Sequence, residues 1–228
     1  MKLIRTIAGA IAITAIGSVN AATNFHEGFD DVSSLQAKGW SNLNYSRAPF
    51  GDAWFQGGGE FTGVDGSDTG YIATNYLTTV VGTIDNWLIT PAIKLTGGDT
   101  LSFYLQGVPD LPWVDSIRVL VGDGSATARS DFKTTLFNIS GMPDQWTEFT
   151  LGLPPTDDGS IRIAFEYYGS FTYSNYIGLD EVSVSGNGLT SGSPPITAVP
   201  EPASALLLAL GIAGLLVSRR LRPGAARI

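Results

Sequence analysis

The 228-residue chain contains no cysteine, so neither a disulfide nor a catalytic thiolate can contribute to its stability or chemistry. Its single histidine, His26, cannot supply the several ligands that a zinc site draws on. The sequence also lacks a Gly-x-Ser-x-Gly pentapeptide and a glycine-rich phosphate loop with its lysine. These absences argue against cysteine and serine hydrolases, zinc enzymes and nucleotide-binding ATPases.

Basic side chains are scarce outside the two ends of the chain. Between Ala22 and Pro200 there are 20 acidic and 7 basic side chains, a balance of −13. A field of that sign repels nucleic acid and anionic lipid, while it favours cations and solubility. The sequence therefore predicts no nucleic-acid partner, and a solvated acidic surface is the simplest interpretation of the charge.

The N-terminal segment has the order of a secretory signal. Lys2 and Arg5 precede an apolar stretch over residues 7–19, and small residues at Val19 and Ala21 occupy the positions that a signal peptidase reads. The apolar stretch is too short to span a bilayer comfortably. The pattern predicts a signal peptide helix over residues 1–21 that signal peptidase removes after Ala21.

The C-terminal segment combines a linker, a short motif, an apolar run and a basic cluster. Residues 187–198 are rich in Gly, Ser and Pro and predict a flexible linker. The apolar run over residues 203–217 predicts a single apolar helix, although it is shorter than the roughly 20 residues that cross a membrane unaided. Arginines directly after it would stay on the cytoplasmic side. The motif and the cluster consist of Val199, Pro200, Glu201, Pro202, Arg219, Arg220 and Arg222.

Residues 199–228 resemble the PEP-CTERM sorting signal of Gram-negative bacteria, which has these parts in this order. The resemblance implies recognition by an exosortase, transient anchoring in the inner membrane by the apolar helix, and cleavage near residues 200–202. It also implies transfer to the cell surface or the exopolysaccharide matrix. An ordinary C-terminal anchor would show the same hydropathy, but it does not need Pro-Glu-Pro before its helix.

Residues 22–186 show the spacing of an all-β domain. Short β-branched and aromatic runs alternate with Gly, Asp, Asn and Pro about every ten residues, which is typical of a β-sandwich. Alternating faces predict strands over residues 101–105, 116–121 and 161–167. The strand that includes Trp87 should stop at Pro91, because proline cannot donate to a strand pairing.

The same segment resembles choice-of-anchor J domains, which are similar to the cleaved-adhesin and MAM group of jelly-roll sandwiches. Its distinctive pieces are Phe25–Asp30, Gly39-Trp40, Asp85–Ile93 and Ile177–Val182. The resemblance implies a jelly-roll-like β-sandwich that serves as a surface or adhesive module without known catalysis. It also implies that the first and last strands lie close together.

Calcium is the inorganic partner that the sequence favours, because hard cations take oxygen ligands and extracellular calcium sites tolerate modest affinity. Given neighbouring first and last strands, Glu27 and Asp180 are the predicted metal ligands, with Asp30 or Asp68 to complete the shell. The alternative is that Glu27 and Asp180 accept hydrogen bonds from backbone amides at strand ends.

Aromatic residues in Gly- and Pro-containing loops predict a surface on which sugars stack. Trp54, Trp113 and Tyr173 are the candidate ligand-binding residues, with core filling as the competing use of each ring. Trp87, which lies within a strand pattern, is expected in the core.

These observations predict an exported, non-catalytic surface or extracellular-matrix protein of a Gram-negative bacterium, adhesive or structural in role and associated with exopolysaccharide. The alternative function is a secreted carbohydrate-active enzyme that uses two carboxylates, since sandwich folds support such enzymes. The two differ in whether removal of one carboxylate abolishes turnover.

Overall fold

The computed structural model describes residues 22–108 and 112–186. The predicted signal peptide over 1–21, the linker over 187–198 and the sorting segment over 199–228 lie outside the described residues. Within the described ranges, no helix is long and apolar enough to cross a membrane. The strands there are β1 Ala22–Glu27, β2 Ser41–Asn44, β3 Phe55–Gln56, β4 Ile72–Asn75, β5 Thr83–Ile89, β6 Ile93–Lys94, β7 Thr100–Gly107, β8 Ser116–Asp123, β9 Thr134–Ser140, β10 Thr147–Gly152, β11 Ser160–Ser170 and β12 Tyr176–Gly186. Short 3-10 helices cover Val32–Ser34, Tyr76–Thr78 and Arg129–Asp131.

The strands form two antiparallel sheets that pack face to face. Sheet A has the order β10-β7-β12-β4-β3, with β1 beside the second half of β12. Sheet B has the order β2-β5-β11-β8-β9, with β6 beside the start of β11. This arrangement confirms the predicted all-β sandwich, and β5 ends at Ile89, before Pro91.

The core lies between the sheets because the strands alternate in polarity. In β7, for example, Leu101, Phe103 and Leu105 are completely buried, while the residues between them are partly exposed. Phe103 contacts Phe165 of the opposite sheet edge to face, with 5.4 Å between ring centroids. Burial of each such side chain contributes about 1.5–3 kcal/mol. The core clusters of the described chain draw on residues 25–184, so this segment carries the core it needs to fold by itself.

The first and last strands pair, as predicted, and this pairing fixes the two ends of the sandwich. Ala22 lies opposite Gly186, so both points where the described domain continues into the rest of the chain share one end, the terminal end. β12 has 11 residues and runs about 35 Å from the opposite end, the distal end, to the terminal end. The distal end consists of loops within residues 45–51, 76–82, 112–115 and 171–175.

Two side-chain amides close one side of the sandwich, between β2 and β3. The Asn42 amide donates to the Trp54 carbonyl (2.7 Å) and accepts from the Trp54 N–H (3.0 Å), as a neighbouring strand would. The Gln56 amide accepts from the Val32 N–H (2.8 Å) and donates to the Phe29 carbonyl (2.8 Å). These bonds occupy backbone groups that an open sheet edge would offer to another chain.

Candidate functional site

The face of sheet B that points away from the core contains a groove of about 420 Å³, here called the sheet B groove. It forms because every second residue of three neighbouring strands projects to this face. A loop after β8 forms one wall with Arg129 and Phe132. The side chains on the floor come from β5 (Asp85, Trp87), β8 (Arg118, Leu120) and β11 (Glu166).

An ion pair with a buried carboxylate lies in the middle of the groove. Arg118 and Glu166 are opposite each other in the β8–β11 pairing. The Arg118 Nη2 donates to Glu166 Oε1 (2.7 Å), and Nε donates to Oε2. Glu166 is only 3% exposed, and this burial raises its pKa against the opposing effect of Arg118. The hydrogen bond to Glu166 in turn raises the pKa of the Arg118 guanidinium.

A second ion pair forms the rim of the groove. Asp85 Oδ2 accepts from Arg129 Nη1 (2.6 Å), while Asp85 Oδ1 accepts from the Trp87 indole N–H. The charge of Asp85 and its contact with Glu166 also help to raise the pKa of Glu166, so the two carboxylates are close neighbours. Lys133 also lines the groove, so three basic and two acidic side chains give it a formal charge of about +1 in a strongly acidic protein.

Aromatic rings flank both arginines. The Arg118 guanidinium lies 5.0 Å from the ring centroid of Tyr168, and Arg129 lies 4.8 Å from that of Tyr45. The Tyr168 hydroxyl donates to Asn138 Oδ1 (2.8 Å), which fixes the ring on the face of the sheet. The groove therefore combines fixed, planar donors and acceptors with exposed aromatic surface, the combination that binds polyhydroxylated ligands.

Trp54 is not part of an exposed aromatic surface, and the prediction of a stacking role is wrong for this residue. It is completely buried in the core, and its indole N–H has no hydrogen-bond partner among the described residues. A cleft of about 600 Å³ lies beside it, between β2 and β3. The amides of Asn42 and Gln56 in this cleft are bound to backbone, while Gln36, Ser41 and Asp52 also line it.

Trp113 and Tyr173 lie at the distal end, in loops that contact each other. The Val114 N–H donates to the Tyr173 carbonyl (2.6 Å). Trp113 is 43% exposed and Tyr173 is 61% exposed, which is the accessibility that a binding role needs. Their ligand-binding role stays a prediction.

Glu27 and Asp180 lie on paired strands but have separate partners. The Glu27 carboxylate binds the Lys38 ammonium through both oxygens (2.9 and 3.1 Å) and accepts from the Phe29 N–H. Asp180 accepts from the N–H groups of Val64 (2.8 Å) and Glu181 (2.7 Å). No group of three or more acidic or histidine side chains suited to a metal ion occurs in the two described ranges.

The bonds from the Phe29, Val64 and Glu181 N–H groups are the backbone hydrogen bonds of the alternative interpretation. The contacts of Glu27 and Asp180 do not bring the two carboxylates together as calcium ligands. Lys38 already neutralises Glu27. Burial, followed in smaller part by the charges of Glu181 and Asp65, raises the pKa of Asp180 to about 7. Asp30 and Asp68 are exposed. Calcium binding at Glu27 and Asp180 stays a prediction, which requires Lys38 to move.

Comparison with known proteins confirms both resemblances. Residues 198–220 match the PEP-CTERM protein-sorting motif. No curated protein sequence matches the chain. The fold is similar to the K1 cleaved adhesin domain of Lys-gingipain from Porphyromonas gingivalis W83, with 22% identity, 73% of this chain and 99% of that domain covered, and a TM-score of 0.54. It is also similar to the K3 cleaved adhesin domain of the same protein, with 20% identity, coverage of 72% and 100%, and a TM-score of 0.56.

The chain thus combines a cleaved-adhesin-like β-sandwich with a PEP-CTERM sorting motif. The motif indicates an exported protein that is sorted to the cell envelope or surface. Its residues, Val199, Pro200, Glu201, Pro202, Arg219, Arg220 and Arg222, lie outside the described part of the structure, so the assignment is made from sequence.

The sheet B groove was missed by sequence reasoning. Its signal was present, because Arg118 and Glu166 occupy alternate positions opposite to the apolar residues of their strands. The strand order was needed to pair them, since the two residues are 48 positions apart. Trp87 is buried as expected, but it lies in a separate small cluster on the outer face of sheet B rather than between the sheets.

Proposed function

We propose that the protein is an exported, non-catalytic surface module that binds a glycan in the sheet B groove and is processed at its C-terminus by an exosortase. The observation that carries the proposal is the groove itself, in which the Arg118–Glu166 and Arg129–Asp85 pairs lie beside Tyr45 and Trp87. The PEP-CTERM motif supports the export and the processing.

Sugar hydroxyls both donate and accept hydrogen bonds, and a site that binds them needs both kinds of partner in fixed positions. The guanidinium groups donate hydrogen bonds and the carboxylate groups accept them, and within each ion pair the two side chains fix each other's position. Tyr45, which is 41% exposed, adds an aromatic surface for the apolar face of a sugar ring. Because the domain as a whole is strongly acidic and would repel a polyanion, a neutral polysaccharide fits better than a polyanionic one.

The groove is a better glycan site than Trp113 and Tyr173, because its ion pairs fix charged donors and acceptors in place. Loops 75–83 and 169–175, beside Tyr173, contain no charged side chain. Their polar side chains other than tyrosine are short Ser, Thr and Asn groups, several of which already bond to one another or to backbone.

The test is binding of residues 22–186 to neutral polysaccharides by affinity electrophoresis and on a glycan array. We expect Arg129→Ala and Tyr45→Ala to weaken binding at least about tenfold, since each removes a contact group from the rim. Trp113→Ala and Tyr173→Ala, at the distal end, serve as matched controls and should bind like the wild type. If the groove variants still bind the polysaccharide and the Trp113→Ala and Tyr173→Ala variants do not, the glycan site lies at the distal end instead. No binding by the wild type would refute the proposal.

A carbohydrate-active enzyme is the second candidate, because the groove brings the carboxylates of Asp85 and Glu166 together. Glycosidases use a protonated acid with a raised pKa and a second carboxylate at about 5–9.5 Å. Here, however, each carboxylate is held by its own arginine. Turnover of a polysaccharide panel by the wild type, lost in Glu166→Gln, would establish the enzyme and displace the binding module.

A further inference from the structure

The distal end of the sandwich carries an exposed apolar surface, here called the distal patch. Its seven members are large hydrophobic residues that are each 43% to 65% exposed: Phe50, Leu77, Val80, Val81, Trp113, Val114 and Tyr173. The loops that carry most of them, 75–83 and 169–175, contain no acidic or basic side chain, in a domain whose balance is −13. In the two other loops, 45–51 and 112–115, Arg47 is exposed and Asp115 is buried, so the distal patch is apolar and has few charges beside it.

Backbone hydrogen bonds place the loops of the distal patch side by side. The Phe50 N–H donates to the Thr78 carbonyl (2.9 Å), and the Val80 N–H donates to the Ala48 carbonyl (3.2 Å). The loop of Val80 continues to Gly82, whose carbonyl accepts from the Phe171 N–H (2.9 Å). The loop of Phe171 continues to Tyr173, whose carbonyl accepts from Val114. The seven side chains thus belong to one contiguous row of loops.

The size of the distal patch is that of a protein interface. Half-exposed aromatic and aliphatic side chains offer about 100 Å² each, so seven of them present roughly 700 Å². Soluble monomers rarely expose contiguous apolar patches above a few hundred Å². A standard protein–protein interface buries about 800 Å² on each partner.

We propose that the distal patch is an interface for a second copy of this chain, which meets the first end to end about a two-fold axis. The charge distribution of the protein favours this end-to-end arrangement. Two copies with a balance of −13 repel each other over most of their surface, whereas the loops of the distal patch carry one exposed basic side chain, Arg47, and no exposed acid, so the distal ends meet at a smaller cost. A two-fold axis brings the same apolar surface to both sides of the contact.

The position of the distal patch supports the same arrangement. It lies about 35 Å from Ala22 and Gly186, where the chain continues towards its termini. Ala22 and Gly186 therefore lie outside the interface, and in the dimer the two terminal ends point in opposite directions.

Sedimentation velocity of residues 22–186, a segment that carries its own core, tests the proposal. We expect a monomer–dimer equilibrium with a dissociation constant of about 10 μM. Val80→Glu with Val81→Glu should weaken it at least about 100-fold, because like charges would face each other across the axis. Both valines are exposed, so the fold should be retained. The matched control, Thr23→Glu with Thr150→Glu, adds two charges at exposed positions away from the distal end and should dimerise like the wild type.

The absence of cysteine gives a second, independent measurement. Val81 lies in the middle loop of the row that forms the distal patch, so Val81→Cys should form an intermolecular disulfide faster under mild oxidation than Thr150→Cys, which lies away from the distal end. A wild type that stays monomeric at 100 μM, or equal crosslinking of both variants, would overturn the proposal. Binding of the monomer to neutral lipid vesicles, lost in the Val80→Glu, Val81→Glu variant, would assign the distal patch to a lipid surface instead.

Discussion

Arg118 and Glu166 face each other across two neighbouring strands, and their paired hydrogen bonds hold a carboxylate that is only 3% exposed on the outer face of a sheet. The Arg118 side chain, in contrast, is 39% exposed. The pair is thus asymmetric. Arg118 is the only cationic partner of Glu166 among the described residues, whereas Arg118 also contacts solvent.

This asymmetry predicts unequal effects of removing the two partners. Arg118→Met should destabilise the domain by about 2–3 kcal/mol, because it leaves a buried carboxylate unpaired, and Glu166→Gln should cost less. Urea unfolding of both variants measures the difference. Arg129→Met is the control, since its more exposed pair with Asp85 should contribute less than about 1 kcal/mol. Equal losses for Arg118→Met and Arg129→Met would contradict this account.

Asp180 predicts a pH dependence of stability. Its pKa in the folded protein is about 7, against an ordinary value of 3.8. Its stabilising contribution should therefore be complete below pH 3.8 and should be lost as the pH rises through 7, a change of a few kcal/mol. Asp180→Asn cannot titrate and should flatten the free energy of unfolding over this window. Asp68→Asn, at an exposed turn, should leave the wild-type slope unchanged; the same slope in Asp180→Asn would show that another group is responsible.

The predicted calcium site can be tested by thermal unfolding in calcium and in a chelator. A ligand that binds only the folded state at 100 times its dissociation constant adds about 2.7 kcal/mol, or about 5–10 °C in Tm for a domain of this size. Asp180→Asn should abolish such a rise. Lys38→Met should increase it, because Lys38 competes with the ion for Glu27. The same Tm in calcium and in chelator would leave Glu27 and Asp180 as hydrogen-bonding groups only.

The two tryptophans among the predicted ligand-binding residues should differ in their contribution to stability. Trp54→Ala removes a completely buried ring and should destabilise the domain by about 3–5 kcal/mol. Trp113→Ala, at a 43% exposed position, should change stability by less than about 1 kcal/mol. Chemical denaturation of both variants is the measurement, and a small loss for Trp54→Ala would contradict its place in the core.

The sorting motif predicts a processing defect. In the native host, replacement of Pro200 and Pro202 by alanine should leave a cell-associated protein that keeps its C-terminal segment, which mass spectrometry of cell fractions detects. Ser191→Ala, in the predicted linker, should be processed like the wild type. Normal release and cleavage of the proline variant would show that the motif is not read.

The fold could be predicted because its signals are local. Alternation in β7, β8 and β11 appears within eight to eleven residues, and the proline after β5 marks its end in the sequence itself. The pairing of β1 with β12 followed from a family resemblance, because residues 160 positions apart carry no local sign of their contact.

The site was harder to predict, since it is formed by side chains of strands that lie far apart in the sequence, and the alternation within one strand does not show which other strand lies beside it. Arg118 and Glu166 look like ordinary solvent-facing charges until the strand order joins them. Trp54 was misassigned because a Gly-containing neighbourhood resembles a surface loop, while in the fold Asn42 holds its backbone against the sheet edge and turns the ring inward.

The central place of β12 in sheet A determines when, during synthesis, the domain can fold. This strand pairs with β1, β4 and β7, yet it is the last strand of the domain to leave the ribosome. Until it arrives, sheet A lacks its middle strand: β1 has no partner, and the β3–β4 pair and the β7–β10 pair are not joined. Such long-range pairing folds slowly. A domain that completes its fold only when its final strand is available closes late, which suits the export that the sorting motif indicates.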